Sequence, residues 1–187
     1  MASAFSSRRC LVSIMTAAEK AGEASGGQSS SVDRVWRWLE EVPDPEIPVV
    51  SVVDLGIVRD VSMEDGKYVV TVTPTYSGCP ATAVISLDIE NALHARGLED
   101  VRIETRLSPA WTTAWITDNA REKLKNYGIA PPVEGACVGA MKAAGPVACP
   151  RCGSLNTVET SRFGSTPCKA HWRCNDCLEP FDYFKSF

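Results

Sequence analysis

The stretch Ile57–Gly97, IVRDVSMEDGKYVVTVTPTYSGCPATAVISLDIENALHARG, decides the fold, because its apolar period changes part-way. In the first half Val58, Val61 and Met63 lead to Asp65-Gly66, and Tyr68, Val70 and Val72 lead away. That pattern predicts a β-hairpin on a two-residue turn. In the second half Ala81, Val84, Ile85, Ile89, Ala92 and Leu93 recur at helical spacing, and Gly97 is a natural stop. Pro80 suits a first helical position, where its missing N–H would have no partner anyway. Cys79 sits at the change of period. Free N–H groups and the positive end of a helix would favour a thiolate there. A small hydrophobe in a turn is the plainer reading, and position alone leaves both open.

Working outward, Ser31-Val32 opens a helix with Val32, Val35, Trp36 and Leu39 on one face and Ser31 as its cap; Pro43 and Pro45 end it. A loop then carries the acids Asp44, Glu46 and Asp54 among apolar residues. Thr73 and Thr75, at the end of the second strand, and Asp54 are candidates for supporting the Cys79 loop. Beyond Gly97, VRIETRL alternates strictly and predicts a third strand. TDNAREKLKNYG predicts a helix capped by Thr117, with Ala120, Leu124 and Tyr127 inward and Gly128 at its end. The order helix, two strands, helix, strand, helix implies an α/β (α+β) domain, a small helix-on-sheet sandwich with a three-stranded mixed sheet. Trp111 and Trp115, four apart, serve either a partner surface or the core.

The tail of the chain is a second kind of sequence. Five of the eight cysteines fall in the last forty residues. Cys149/Cys152 and Cys174/Cys177 form two Cys-x-x-Cys knuckles with a strand-rich stretch between. Four thiolates from two such turns suit a tetrahedral site for structural zinc, so a C-terminal zinc ribbon is expected. So short a module should draw its folding energy from the metal. Cys168 and His171 are surplus to that set. Either could replace a ligand or stand behind one, and a bystander role is the simpler reading.

Composition bounds the rest. A chain of 187 residues with 44% apolar content supports one domain plus a small module. A net charge of −4 without a Lys/Arg stripe argues against nucleic-acid binding. No apolar run reaches the length of a membrane span, and free knuckle thiols fit a reducing cytoplasm. Residues 1–30 are rich in Ser, Ala and Gly and read as a disordered tail without a complete targeting signal. Met15 is a second candidate start, which would leave Met1–Ile14 without a role. The expected division is tail 1–30, domain 31–130, linker 131–147 and ribbon 148–187.

Two stretches carry a resemblance. DPEIPVVSVVDLGIVRDV and TVTPTYSGCPA resemble the SufT-like family of metal–sulfur cluster assembly domains. SPAWTTAWIT, YGIAPP and FGSTPCKAHWRCNDCLEPFDYFK narrow this to a resemblance to the PaaD family of phenylacetate-degradation proteins, over Val32–Phe187. The resemblance implies an accessory or maturation role in a phenylacetyl-CoA epoxidase system, not the oxygen chemistry itself. It implies the oxygenase or reductase subunits of that enzyme as partners. It places the family's cysteine on Cys79, its acidic loop on Asp44 and Glu46, and its Asp-Leu-Gly on Asp54, Leu55 and Gly56. These are the candidates for holding iron or an iron–sulfur cluster transiently. The family pattern has an acid within WTTAW where this chain has Ala114, so that position offers no ligand here. One thiolate cannot fill the coordination of a cluster. A homodimer, a partner's thiol or a carboxylate of the acidic loop would have to complete it. The alternative from a different class is a structural subunit of the epoxidase with no metal at Cys79.

Overall fold

The computed structural model describes residues 26–133 and 146–186. Residues 1–25 of the expected tail 1–30, and 134–145 of the expected linker 131–147, lie outside the described residues. The first helix, α1, spans Gly26–Leu39. It starts five residues before Ser31, which is therefore inside the helix and not its cap. Val35 and Leu39 are fully buried, and Val32 and Trp36 pack against the same core.

Strands β1 (Val58–Glu64) and β2 (Lys67–Val72) form the expected hairpin. Asp65 and Gly66 both have positive φ, 49° and 81°, as a two-residue turn matching the strand twist requires. A bulge between Val58 and Asp60 explains why the buried residues of β1 are Val58 and Val61, three apart. β3 (Val101–Thr105) pairs with β2 in parallel, which makes the sheet mixed in the order β1-β2-β3. Helix α2 (Thr82–His94) crosses between them and buries Ile85, Ile89 and Leu93. Val84, expected in that stripe, is exposed, so the buried face is narrower than the sequence implied.

Helix α3 (Asp118–Tyr127) is capped as read: the Thr117 hydroxyl accepts from the Ala120 N–H at 3.1 Å. Gly128 closes it with φ 97°. Ala120 and Leu124 are buried, but Tyr127 points outward.

The second sheet holds the tail. Strands β5 (Thr157–Ser161), β6 (Lys169–Cys174) and β7 (Pro180–Phe184) are antiparallel neighbours. A two-residue strand, β4 (Ile129–Ala130), adds in parallel to β7, giving the order β4-β7-β6-β5. The first module thus donates the edge of the second module's sheet. Ala130 and Val147 pack in one small core with Trp172, Phe181 and Tyr183. Phe184, the last residue of β7, turns its side chain into the main core, its ring 6.1 Å from the Trp111 ring. The ribbon is therefore held by shared strands and shared apolar burial as well as by any metal.

Candidate metal centres

The ribbon site follows from two tight turns. The Gly153 N–H reaches the Cys149 carbonyl at 2.9 Å, and Gly153 takes φ 77° to do so. In the second turn the Cys177 N–H donates to the Cys174 sulfur at 3.5 Å, and Leu178 adopts φ 66°. That N–H is the main reason the Cys174 thiol is pushed down to about 7. Asp176 braces the two turns by accepting from the Ser154 hydroxyl and, at 2.8 Å, from the Asn156 amide. The result brings Cys149, Cys152, Cys174 and Cys177 together with all sulfurs within 4.8 Å of one another. The Cys149–Cys177 and Cys152–Cys174 separations are 3.7 and 3.6 Å. Four sulfurs each about 2.3 Å from a tetrahedral centre stand about 3.8 Å apart, so this donor set suits zinc. His171 is not part of it: its Nδ1 lies 2.9 Å from an Asp182 carboxylate oxygen.

The second site is built on the acidic loop. Asp44 Oδ1 accepts from the N–H groups of Glu46 and Ile47 at 2.9 and 2.8 Å, which winds the loop into an Asx-type turn. Asp44 is buried, and that burial lifts its carboxyl above the usual value despite those two N–H groups and the nearby Lys169. Asp44 therefore shapes the loop, and Glu46, half-exposed, is presented by it.

Asp54 ties the loop to α3. It exchanges hydrogen bonds with Ser51 at 3.1 and 3.0 Å, and Lys123 Nζ approaches its Oδ2 at 2.6 Å. Burial alone would raise this carboxyl; Lys123 and the Ser51 N–H outweigh it and hold the group below its usual value. Leu55 fills the core, and its carbonyl takes the Trp111 indole N–H at 2.9 Å. Trp111 is accordingly a core residue, and half-buried Trp115 carries the Arg59 guanidinium over its ring at 3.5 Å. Ala114 is exposed in the short 3₁₀ turn Thr113–Trp115.

Cys79 lies two residues before the α2 cap, Ala81, and three before Thr82. Pro80 is thus outside the helix, one residue before that cap. A turn fixes the cysteine: its N–H bonds the Tyr76 carbonyl at 3.1 Å, and its own carbonyl takes the Thr82 hydroxyl at 2.9 Å. The thiol is partly buried, and Ser77 and Gly78 beside it are exposed. Thr73 and Thr75 are buried at the base of this loop, where the Thr73 N–H bonds the Ile57 carbonyl at 2.8 Å.

Tyr76 lies half-buried in the same turn as Cys79. Burial first, then Cys79, Cys168 and Glu46, push its phenol up to about 12, and Cys79 also hydrogen-bonds to it. Cys168 comes from the ribbon. Its sulfur lies 3.6 Å from Glu46 Oε2 and 2.9 Å from the Thr166 hydroxyl. Sequence spacing had no means of finding this neighbour, because the two residues are 122 positions apart.

Comparison with known proteins gives the family. Residues 32–105 match the family described as iron–sulfur cluster assembly protein, and residues 134–185 match the PaaD zinc beta ribbon domain. The chain is 48% identical over 154 residues to an Escherichia coli protein provisionally named as one of the subunits of 1,2-phenylacetyl-CoA epoxidase, across 82% of this chain and 92% of that one. The chain belongs to the PaaD family. Within that frame, a Bacillus subtilis Fe–S protein maturation auxiliary factor is 38% identical over 90 residues, covering 48% of this PaaD-family chain and 80% of its own. A solved domain of unknown function from Bacillus anthracis is 28% identical, covers 52% of this chain and 94% of its own, and superposes with a TM-score of 0.49. No helix among the described residues is long and apolar enough to cross a membrane.

Proposed function

We propose that this chain is a maturation factor of the phenylacetyl-CoA epoxidase system, not an enzyme itself, which holds iron or an iron–sulfur cluster transiently at Cys79 and passes it to the oxygenase or the reductase. The observation that carries this reading is the placement of Cys79 on a turn with exposed neighbours, sharing the Tyr76 phenol with the Glu46 carboxylate of the acidic loop. A soft thiolate from Cys79 and a hard carboxylate from Glu46 would make a donor set that iron accepts. Asp44 and Asp54 hold the loop that presents Glu46, and Thr73 and Thr75 lie buried at the base of the Cys79 loop. The E. coli relative is named as an epoxidase subunit, and the B. subtilis relative as an Fe–S maturation factor; both names support this direction. The ribbon thiols, Cys149, Cys152, Cys174 and Cys177, hold structural zinc in this reading and keep the second module in shape. The cytoplasm, where the epoxidase subunits would be assembled, is the proposed location.

The test is anaerobic reconstitution of the epoxidase with iron and sulfide in the presence of wild type or Cys79→Ser. Activity supported by wild type and lost with Cys79→Ser, at unchanged zinc content, is the expected result. Equal activity with both would leave the chain as a structural subunit with no cargo at Cys79.

A further inference from the structure

Open N–H and C=O groups on a sheet edge invite a second chain, so free edges are usually blunted. Three of the four edges here are. β1 carries a bulge between Val58 and Asp60, β5 carries one between Glu159 and Ser161, and β4 is two residues long. β3 has no such device: its five residues pair with β2 in unbroken register and include no proline. Its backbone parity is fixed by the ladder. The Tyr68 N–H takes the Asp100 carbonyl at 3.0 Å, and the Arg106 N–H reaches the Val72 carbonyl at 2.8 Å. Even-numbered residues therefore turn their backbone groups toward β2, and Val101, Ile103 and Thr105 turn theirs outward. Among the described residues no backbone group meets them there.

We propose that two copies of this chain join through their β3 edges, antiparallel about Ile103, into one six-stranded sheet. The charges name the occupant. Asp100–Arg106, DVRIETR, sets acid, base, acid and base at every second residue. Laid against itself about Ile103, Asp100 meets Arg106 and Arg102 meets Glu104, each pair twice by the two-fold symmetry. Val101 meets Thr105 and Ile103 meets its own copy, and these outward-facing pairs exchange both backbone bonds. A slip of two residues either way sets Arg102 against Arg102 or Glu104 against Glu104, which like charge disfavours. A slip of one residue sets outward backbone groups against inward ones and reverses the faces. One register is thus selected, and it is a register for this strand with itself.

The charged side chains are free to take part. Val101 and Ile103 pack against the main core, so Arg102 and Glu104 stand on the opposite face of the sheet. Arg102 Nη2 lies 2.7 Å from Glu64 and 3.0 Å from Glu104, and Arg106 lies 3.2 Å from Glu104. Both arginines remain more than half exposed. A second copy therefore extends a ladder of alternating charge that already crosses the sheet. The join also places the Cys79 loops. Val72 lies beside Thr105, and the Cys79 loop follows Val72. Antiparallel joining puts Val101 of the second copy beside Thr105, so the two Cys79 loops leave the sheet at opposite ends. The dimer carries two separate loops, and the β3 surface does not depend on what Cys79 holds.

The experiment is sedimentation of the full chain over a range of concentrations at low salt. Wild type should reach the mass of a dimer. Arg102→Glu and Glu104→Arg each set like charges opposite in their own dimers and should raise the dissociation constant about tenfold or more. Mixed in equal amounts, the two variants complement each other and should recover the dimer. Thr105→Pro is an exposed change that removes only an outward N–H, so it should weaken the dimer at unchanged far-ultraviolet signal. It carries the test if either charge variant fails to fold. A wild type that stays monomeric at every concentration would overturn the proposal. So would wild-type dimerisation in Thr105→Pro or in the charge variants, or a mixture that stays as weak as its parts.

Discussion

Gly56 and Asp54 show why the Asp-Leu-Gly triplet stands where it does. Gly56 has φ +64°, and a Cβ on it would meet the Trp115 carbonyl oxygen at 2.6 Å. Gly56→Ala should therefore cost more than the roughly 1–2 kcal/mol of a left-handed alanine, measured as a fall in the urea midpoint. Two carboxylates of the same loop should give opposite pH signatures. Asp54 is held below its usual value, so its contribution is present at neutral pH and fades as pH falls through its folded value. Asp44 is held above its usual value, so its contribution is complete in acid and fades as pH rises through its folded value. Stability–pH curves of Asp54→Asn and Asp44→Asn should accordingly flatten on different sides: the first loses part of the decline toward acid, the second part of the decline above the ordinary Asp range. Curves identical to wild type in both would contradict the assigned roles. Asp54 and Thr73 were legible as polar residues placed among apolar ones, and the structure buries both. The contact of Cys168 with Glu46 was not readable, because Glu46 belongs to a distant loop.

At the scale of elements, periodicity told most of the story where the chain is amphipathic. The hairpin, its Asp65-Gly66 turn, the parallel third strand and the cap at Thr117 were all legible. Val84 and Tyr127 were misplaced inward because a stripe read at helical spacing is wider than the face the core covers. β4 was missed because two residues carry no period. Phe184 was missed as a core residue because the FDYFK segment reads as ribbon alone, while its ring actually lies against Trp111. Phe184→Ala should cost about 3–5 kcal/mol, the usual range for emptying a buried aromatic. Because the ring joins both modules, calorimetry should show one weakened transition, and a main domain of unchanged stability would contradict the shared core.

At the scale of the whole molecule, the ribbon is less independent than its cysteine spacing implied. β4, Val147 and Phe184 bind it to the first module, so metal need not supply all of its stability. We expect about one zinc per chain, as the four-thiol set fits it. Changing Cys149, Cys152, Cys174 and Cys177 to Ser should abolish that zinc and lower the melting temperature, while the far-ultraviolet signal of α1–α3 persists. Full zinc content in that variant would contradict the ligand assignment. A chain beginning at Met15 should match the full chain in solubility and in support of the epoxidase; loss of either would give the first residues a role.

Delivery of iron through Cys79 is measured most directly by the iron content of the client. Epoxidase oxygenase and reductase subunits would be purified from cells lacking this chain and supplied with wild type, Cys79→Ser or nothing. Delivery predicts full iron in at least one of these clients with wild type, and the same deficit with Cys79→Ser as with nothing. Clients carrying full iron with Cys79→Ser would contradict it.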